Sequence, residues 1–199
     1  MNIHILGIGG TFMAGIAIIA KEMGHEVTGS DTNLYDPMKT VLINNKISFT
    51  ENYNSKTLDN NYDLIIVGNV MTRGMDIIEK LLDKKIPFTS GPEWLYDNVL
   101  SKKTVIAISG THGKTTTSSM VTHILKYAKK NPSYLIGGLP VGTKSPAKLT
   151  NSEYFVIEAD EYDTAFFDKR SKYLHYHPDV MVINNIEFDH ADIFENIEA

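Results

Sequence analysis

Residues 110–116 read Gly-Thr-His-Gly-Lys-Thr-Thr, between a predicted strand, Thr104–Ser109, and a predicted helix, Thr115–Lys129. A phosphate-binding loop requires this position, because its backbone N–H groups and the start of the following helix both attract a phosphate. In such a loop Lys114 reaches the β- and γ-phosphates and the Thr115 hydroxyl ligates Mg²⁺. The loop is two residues shorter than the usual pattern, and a plain turn is the alternative. We predict a phosphate-binding loop made of Gly110, Thr111, His112, Gly113, Lys114, Thr115 and Thr116.

A second glycine-rich run begins at Gly7, near the end of the first predicted strand, Ile3–Ile8. It starts as a dinucleotide-binding fingerprint does, but Phe12 stands where a third glycine normally permits close packing of helix and strand. This substitution argues against NAD. Asp31 ends the second predicted strand, at a spacing suited to accept a ribose hydroxyl. We predict that the run binds a nucleotide diphosphate, and a tight turn without a ligand is the alternative.

Four carboxylates lie within six residues at the end of the predicted strand Tyr154–Ala159, namely Glu158, Asp160, Glu161 and Asp163. Glu158 directly follows an apolar run, which puts it at the carboxyl edge of the sheet, where a magnesium ligand belongs. For the other three, a solvated loop and a functional role stay equally open. His190 follows the predicted strand Asp179–Asn184 in an Asp-His pair, and we predict that it is functional at the same edge.

Short apolar strands alternate with helical stretches, which predicts an α/β fold with parallel sheets. The pattern restarts near residues 101–103. We therefore expect a Rossmann-like parallel-sheet domain over residues 1–100, followed by a partial P-loop ATPase-type α/β domain over residues 101–199. The remaining predicted elements are helices at Phe12–Met23, Pro37–Asn45, Met75–Lys84 and from Gly91, and strands at Glu26–Ser30, 63–68 and Ser133–Ile136.

The composition excludes several classes of protein. Lys and Arg number 19 and Asp and Glu 24, so the formal net charge is −5 and binding to nucleic acid or an anionic membrane is not expected. There is no cysteine, which excludes disulfides and thiolate metal sites. The longest uncharged stretch, Ile5–Ala20, is interrupted by four glycines and is shorter than the roughly 20 residues of a spanning helix. With no targeting segment either, we expect a cytoplasmic protein.

Together these motifs resemble the Mur ligase superfamily, the ATP-dependent amino-acid ligases of peptidoglycan synthesis. The resemblance rests on three motifs: the shortened loop at 110–116, Glu-Ala-Asp-Glu at 158–161 and Asn-Ile-Glu-Phe-Asp-His at 185–190. Four further segments are most similar to the branch that recycles the cell-wall tripeptide: Gly-Thr-Phe-Met at 10–13, Met-Thr-Arg-Gly at 71–74, Ser-Gly-Pro-Glu-Trp-Leu at 90–95 and Ala-Phe-Phe-Asp-Lys-Arg-Ser-Lys-Tyr at 165–173.

The resemblance implies a reaction and its participants. The carboxylate of UDP-N-acetylmuramate becomes an acyl phosphate at the expense of ATP, and the murein tripeptide L-alanyl-γ-D-glutamyl-meso-diaminopimelate then attacks it through its amine. Lys114, Glu158 and His190 are the implied catalytic residues, with Thr115 and Glu158 at one Mg²⁺ and His190 near a second. The implied UDP-sugar site consists of Gly9, Gly10, Thr11, Asp31, Asn69, Thr72 and Arg73. Lys169 and Arg170 either meet substrate anions or form a solvated basic pair.

The same resemblance implies that the chain is incomplete. Members of the superfamily are about twice this long and carry a carboxy-terminal domain that helps to bind ATP and the incoming amine. We therefore expect an amino-terminal fragment that is inactive alone. A ligase that adds L-alanine, differing in the amine acceptor, is one alternative, and a nucleotide-binding module without catalysis is another. An NAD-dependent dehydrogenase is opposed by Phe12 and by the second phosphate loop.

Overall fold

The computed structural model describes residues 1–140 and 142–187, which form two five-stranded sheets and a two-stranded hairpin. The first sheet is wholly parallel and has the order β3-β2-β1-β4-β5. Its strands are β1 Asn2–Leu6, β2 Glu26–Ser30, β3 Ser48–Thr50, β4 Leu64–Val67 and β5 Phe88–Ser90, and its helices are α1 Thr11–Glu22, α2 Met38–Asn44, α3 Asp76–Asp83 and α4 Gly91–Asn98.

The second sheet has the order β12-β6-β9-β7-β8 and is parallel except for the β7–β8 pair. The elements of this part are β6 Thr104–Ser109, α5 Lys114–Tyr127, β7 Ser133–Leu135, β8 Ala147–Lys148, β9 Tyr154–Glu158, the hairpin strands β10 Asp163–Ala165 and β11 Asp168–Ser171, and β12 Val180–Ile183. Short 3-10 turns lie at Ser55–Asp59, Leu100–Lys102 and Lys172–His175. The predicted α/β fold, with a Rossmann-like sheet followed by a second α/β unit, is confirmed.

The ends of the predicted strands and helices lie within two residues of those observed. Strands β3, β5 and β8 and the β10–β11 hairpin were not predicted from the sequence. Each of these strands has only two to four residues, which is too short for an alternating or apolar pattern to stand out.

Helix α1 is buried on all sides. Eight consecutive residues, Met13–Ala20, are buried, whereas a surface helix would expose one face. One face covers the first sheet, and the other packs against the second sheet, where Gly15 lies against Leu135 of β7 and Ala147 of β8. A single cluster of buried apolar side chains consequently includes residues of both sheets. Within the described ranges, no helix is long and apolar enough to cross a membrane.

The β10–β11 hairpin makes a second connection between the two sheets. Phe166 at its tip packs against the apolar cluster on the other face of the first sheet. The adjacent Phe167 ring lies edge-on to Phe88 of β5, with 5.1 Å between ring centroids. The hairpin therefore fixes the segment that follows it, beginning at Lys172, relative to the first sheet.

A buried histidine in β1 makes the stability of the first sheet sensitive to pH. The His4 ring lies with Nδ1 2.7 Å from the Thr28 hydroxyl and Nε2 2.9 Å from the Ser30 hydroxyl. Burial lowers the pKa of His4 from its ordinary value of 6.5 to about 4. Between these two pH values the unfolded chain binds a proton that the folded chain excludes, so folding weakens as the pH falls.

We predict that His4→Gln flattens this pH dependence. The wild-type chain should lose about 2 kcal/mol more unfolding free energy than the variant between pH 7 and pH 5, because only its unfolded state gains the imidazole proton. Urea unfolding of both proteins at the two pH values measures the difference. The other titrating groups are common to both proteins and cancel. Equal losses in the two proteins would contradict the assignment.

Candidate active site

A cavity of about 330 Å³ lies where the carboxyl ends of the two sheets meet. Its lining includes residues at, or within two positions after, the carboxyl ends of strands β1, β2, β4, β5, β7 and β9, namely Gly7, Asp31, Asn69, Pro92, Gly137 and Glu158. Ligands of open α/β sheets bind at this edge. The first glycine loop and Glu158 therefore open toward one space, and the predicted phosphate loop adjoins it through the hydrogen bonds from Thr115 to Glu158.

The predicted phosphate loop connects β6 to α5. Gly113 is the N-cap of α5 and has a φ of 80°, a conformation that favours glycine. The residues after β12 brace the loop from its other side: the His112 N–H donates to Asn185 Oδ1 at 2.9 Å, and Asn184 Nδ2 donates to the Thr117 hydroxyl at 3.0 Å. The Asn-Asn pair at 184–185 was not predicted to have this role.

Lys114 occupies the first turn of α5 with its ammonium group turned back over the loop. It donates to the Gly110 carbonyl at 2.8 Å and forms an ion pair with Glu161 at 3.1 Å. The lysine side chain is only 13% exposed. A phosphate bound by the loop would therefore compete with Glu161 for this cation.

Glu158 ends β9 and meets the other side of the loop. Its carboxylate accepts hydrogen bonds from the Thr115 hydroxyl at 3.0 and 3.1 Å and from the Gly137 N–H at 2.7 Å. Three chain segments are thus joined by one carboxylate. Thr116, the next loop residue, is exposed in the first turn of α5.

Ion pairs distinguish Glu158 from its three acidic neighbours. Asp160 pairs with Lys172 at 3.0 Å, Glu161 with Lys114, and Asp163 with Lys169 at 2.8 Å. Among residues 1–140 and 142–187, Glu158 has no such lysine or arginine partner. Its carboxylate and the Thr115 hydroxyl are hard oxygen ligands of the kind that Mg²⁺ takes together with substrate phosphates. No group of three His, Asp or Glu residues suited to a metal occurs in these ranges.

Asp31 braces the first glycine loop. Its two carboxylate oxygens accept hydrogen bonds from the Gly9 N–H at 2.7 Å and the Asn33 N–H at 3.0 Å, and its side chain is almost fully buried. Burial, together with the nearby charge of Asp31, also raises the pKa of Tyr53. The predicted contact of Asp31 with a ribose hydroxyl stays a prediction, alongside this bracing role.

The structure brings only some of the other predicted site residues together. Gly10, Thr11 and Asn69 line the cavity, whereas Thr72 and Arg73 are not among its lining residues. Arg73 instead forms a two-pronged ion pair with Glu79 of α3, at 2.9 and 3.0 Å.

The remaining predicted positions are a basic pair and a histidine. The basic pair Lys169 and Arg170 is exposed, and each member pairs with a nearby aspartate, Asp163 and Asp168 respectively. His190, predicted as a catalytic and metal-linked residue, lies outside the described residues, as does the end of the 185–190 motif.

Three segments that resemble the recycling branch meet at this cavity. The Phe12 ring packs over Gly91, where a Cβ atom would lie 2.8 Å from the ring. The Lys172 ammonium lies 5.7 Å from the centroid of the same ring. Phe12 was interpreted from the sequence as evidence against NAD, and Phe12 and Lys172 lie in two of these segments. Their contact was not predicted, because contacts between residues 79 and 160 positions apart leave no trace in local spacing.

Comparisons with known proteins agree on one family. The profile of the Mur ligase family, catalytic domain, matches residues 2–103, and that of the Mur ligase middle domain matches residues 108–199. A UDP-N-acetylmuramate–L-alanyl-γ-D-glutamyl-meso-2,6-diaminoheptandioate ligase of Escherichia coli (strain K12) is 53% identical over all of this chain, which covers 44% of that protein. A UDP-N-acetylmuramate–L-alanine ligase of Buchnera aphidicola is 37% identical over 98% of the chain, which covers 38% of it.

A solved structure is also similar to this chain in sequence and in fold. The UDP-N-acetylmuramate:L-alanyl-γ-D-glutamyl-meso-diaminopimelate ligase from Neisseria meningitides matches with a TM-score of 0.94 and 50% identity, over 99% of this chain and 64% of that one. The chain thus spans less than half the length of the curated relatives it matches, as predicted for part of a longer ligase.

The contact between Gly9 and Asp31 gives a prediction. In Gly9→Ala a Cβ atom would lie 2.9 Å from the Asp31 carboxylate, so the braced loop must shift, and we expect a loss of about 1–3 kcal/mol in stability. Gly10→Ala is the matched control, since the nearest contact for its Cβ is at 3.8 Å. Urea unfolding measures both variants. Equal losses would show that Asp31 does not hold the loop tightly.

Proposed function

This chain belongs to the Mur ligase family, and from that premise we propose that it forms the nucleotide-binding part of an ATP-dependent ligase. The proposed reaction joins L-alanyl-γ-D-glutamyl-meso-diaminopimelate to UDP-N-acetylmuramate through an acyl phosphate, in peptidoglycan recycling. The observation that carries the proposal is the position of Glu158, which lines the same cavity as the first glycine loop and accepts hydrogen bonds from Thr115 of the second loop. A ligase of this kind must bring a phosphoryl donor and a carboxylate together, and two loops that meet at Glu158 provide that proximity.

In this proposal each glycine loop binds one of the two nucleotide substrates. We assign ATP to the loop at 110–116, because its N–H groups, the start of α5 and Lys114 all attract phosphate. We assign the UDP end of the sugar nucleotide to Gly9, Gly10 and Thr11, at the start of α1. Arg73 and Thr72 have a weaker basis, since Glu79 already pairs with Arg73. His190 keeps its proposed role on the resemblance alone.

The residues of the second loop have distinct proposed tasks. Lys114 neutralises charge on the transferred phosphoryl group, for which it must leave Glu161. Thr115 and Glu158 would hold Mg²⁺, which when bound supplies further neutralisation of the phosphates. Asn184 and Asn185 keep the loop in place and do not touch the reacting atoms in this scheme.

Sequence identity to known ligases favours the tripeptide over L-alanine as the attacking amine. The tripeptide ligase of Escherichia coli is 53% identical to this chain, and the L-alanine ligase of Buchnera aphidicola is 37% identical.

Two further expectations belong to the same proposal. The division into domains at residues 100 and 101 is supported by the position of the two sheets and by the two matched ranges. Because the reaction consumes ATP and a UDP-linked sugar, we propose that it takes place in the cytoplasm.

The proposal predicts which nucleotide the first loop binds. Isothermal titration of the chain with UDP-N-acetylmuramate should give binding in the micromolar range, whereas NADH should bind at least tenfold more weakly, because Phe12 replaces the third glycine of the dinucleotide fingerprint. NADH binding that is tighter than that of the UDP-sugar would overturn the assignment.

Lys114→Ala provides the control for this titration. The variant should bind Mg²⁺-ATP at least tenfold more weakly than wild type and bind UDP-N-acetylmuramate within twofold of wild type, since the two ligands have separate loops. A parallel loss of both ligands would indicate a general folding defect.

A further inference from the structure

Lys172 is the only lysine or arginine among the described residues that line the cavity. The lining also contains three carboxylates, Asp31, Glu158 and Asp160. An anionic group that enters this space therefore meets negative charge on several sides. Only one lining side chain offers it a positive partner.

The Lys172 ammonium is held in place from several directions. It pairs with Asp160 at 3.0 Å and lies 5.7 Å from the ring centroids of both Phe12 and Tyr162. Its backbone N–H donates to the Tyr162 carbonyl at 3.1 Å. The side chain is only 11% exposed. The Lys172 side chain is therefore ordered before any ligand binds, which reduces the entropic cost of a contact with a ligand.

The position of Lys172 matches one chemical group of the proposed substrate. Phe12 belongs to the first turn of α1, directly after the first glycine loop, and Asp160 lies two residues beyond the end of β9. Lys172 contacts both, so it lies between the proposed UDP-binding loop and the proposed site of phosphoryl transfer. The part of UDP-N-acetylmuramate that must reach that site is the carboxylate of its lactyl group.

We propose that Lys172 binds the lactyl carboxylate of the sugar nucleotide and thereby selects UDP-N-acetylmuramate over UDP-N-acetylglucosamine, which lacks this group. The inference rests on the proposed function. Lys172 is then a specificity-determining residue that also offsets the repulsion from Glu158 and Asp160. Phe12, which stands over Gly91, acts as a positioning residue for the ammonium.

Isothermal titration of the chain with both UDP-sugars tests the proposal. Lys172→Met should weaken binding of UDP-N-acetylmuramate by about tenfold to a hundredfold, the usual range for a lost charge-assisted hydrogen bond. It should leave UDP-N-acetylglucosamine within twofold of wild type, which also shows that the site is folded. Lys169→Met, at an exposed lysine paired with Asp163, is the matched control and should change neither affinity.

A double variant separates direct binding from simple neutralisation of Asp160. If Lys172 binds the carboxylate, Lys172→Met combined with Asp160→Asn still lacks the preference for UDP-N-acetylmuramate. If the lysine only neutralises Asp160, the double variant recovers the preference, and the proposal is overturned. An unchanged ratio of affinities in Lys172→Met overturns it as well, while the proposed function stands. Failure of wild type to bind either UDP-sugar would refute the proposed function and this inference with it.

Discussion

The complete burial of helix α1 is the constraint on which the rest of the site depends. Its eight buried residues, Met13–Ala20, pack against the first sheet on one side and against β8 on the other. A helix that is apolar all round is stable only inside a protein, so the second sheet must stay in contact with it. Glu22 reinforces this contact by accepting a hydrogen bond from the Leu149 N–H at 2.6 Å. The same helix begins with Thr11 and Phe12, so its position sets the distance between the first glycine loop and the end of β9.

The electrostatics of the site depend on which carboxylates in residues 158–163 have a cationic partner. Three of the four acids in residues 158–163 have a lysine partner, and Glu158 is instead held by the Thr115 hydroxyl and the Gly137 N–H. A carboxylate held by neutral donors keeps its charge available for a cation. By contrast, Lys114 is paired with Glu161, so binding of a phosphate requires an exchange of partners. We propose that these two residues create the conditions for phosphoryl transfer: Glu158 can hold a cation, and Lys114 can exchange Glu161 for a phosphate.

The sequence predicted the parts of the site that depend on local pattern. Both glycine loops, the position of Glu158 at a strand end and the order of strands and helices follow from the spacing of glycines and apolar residues, and all lie where expected. Contacts between distant segments could not be predicted. Arg73 pairs with Glu79, Lys172 meets Phe12, and the hairpin places its two phenylalanines on the first sheet. The uncharged run that includes most of α1 was predicted to be too short and too rich in glycine to span a membrane. The all-round burial of α1, however, depends on the two-residue strand β8, which no pattern predicts.

The central claim is that the two nucleotides bind next to each other on either side of Glu158, with the lactyl group facing this carboxylate. Its most direct test is a nuclear magnetic resonance measurement on the chain with UDP-N-acetylmuramate, Mn²⁺ and a non-hydrolysable ATP analogue. Paramagnetic relaxation falls steeply with distance from the ion, and a sample with Mg²⁺ gives the diamagnetic reference. We expect much faster relaxation of the lactyl methyl protons than of the uracil protons, and loss of this difference in Glu158→Gln. Equal relaxation of the two groups in the wild-type chain would contradict it.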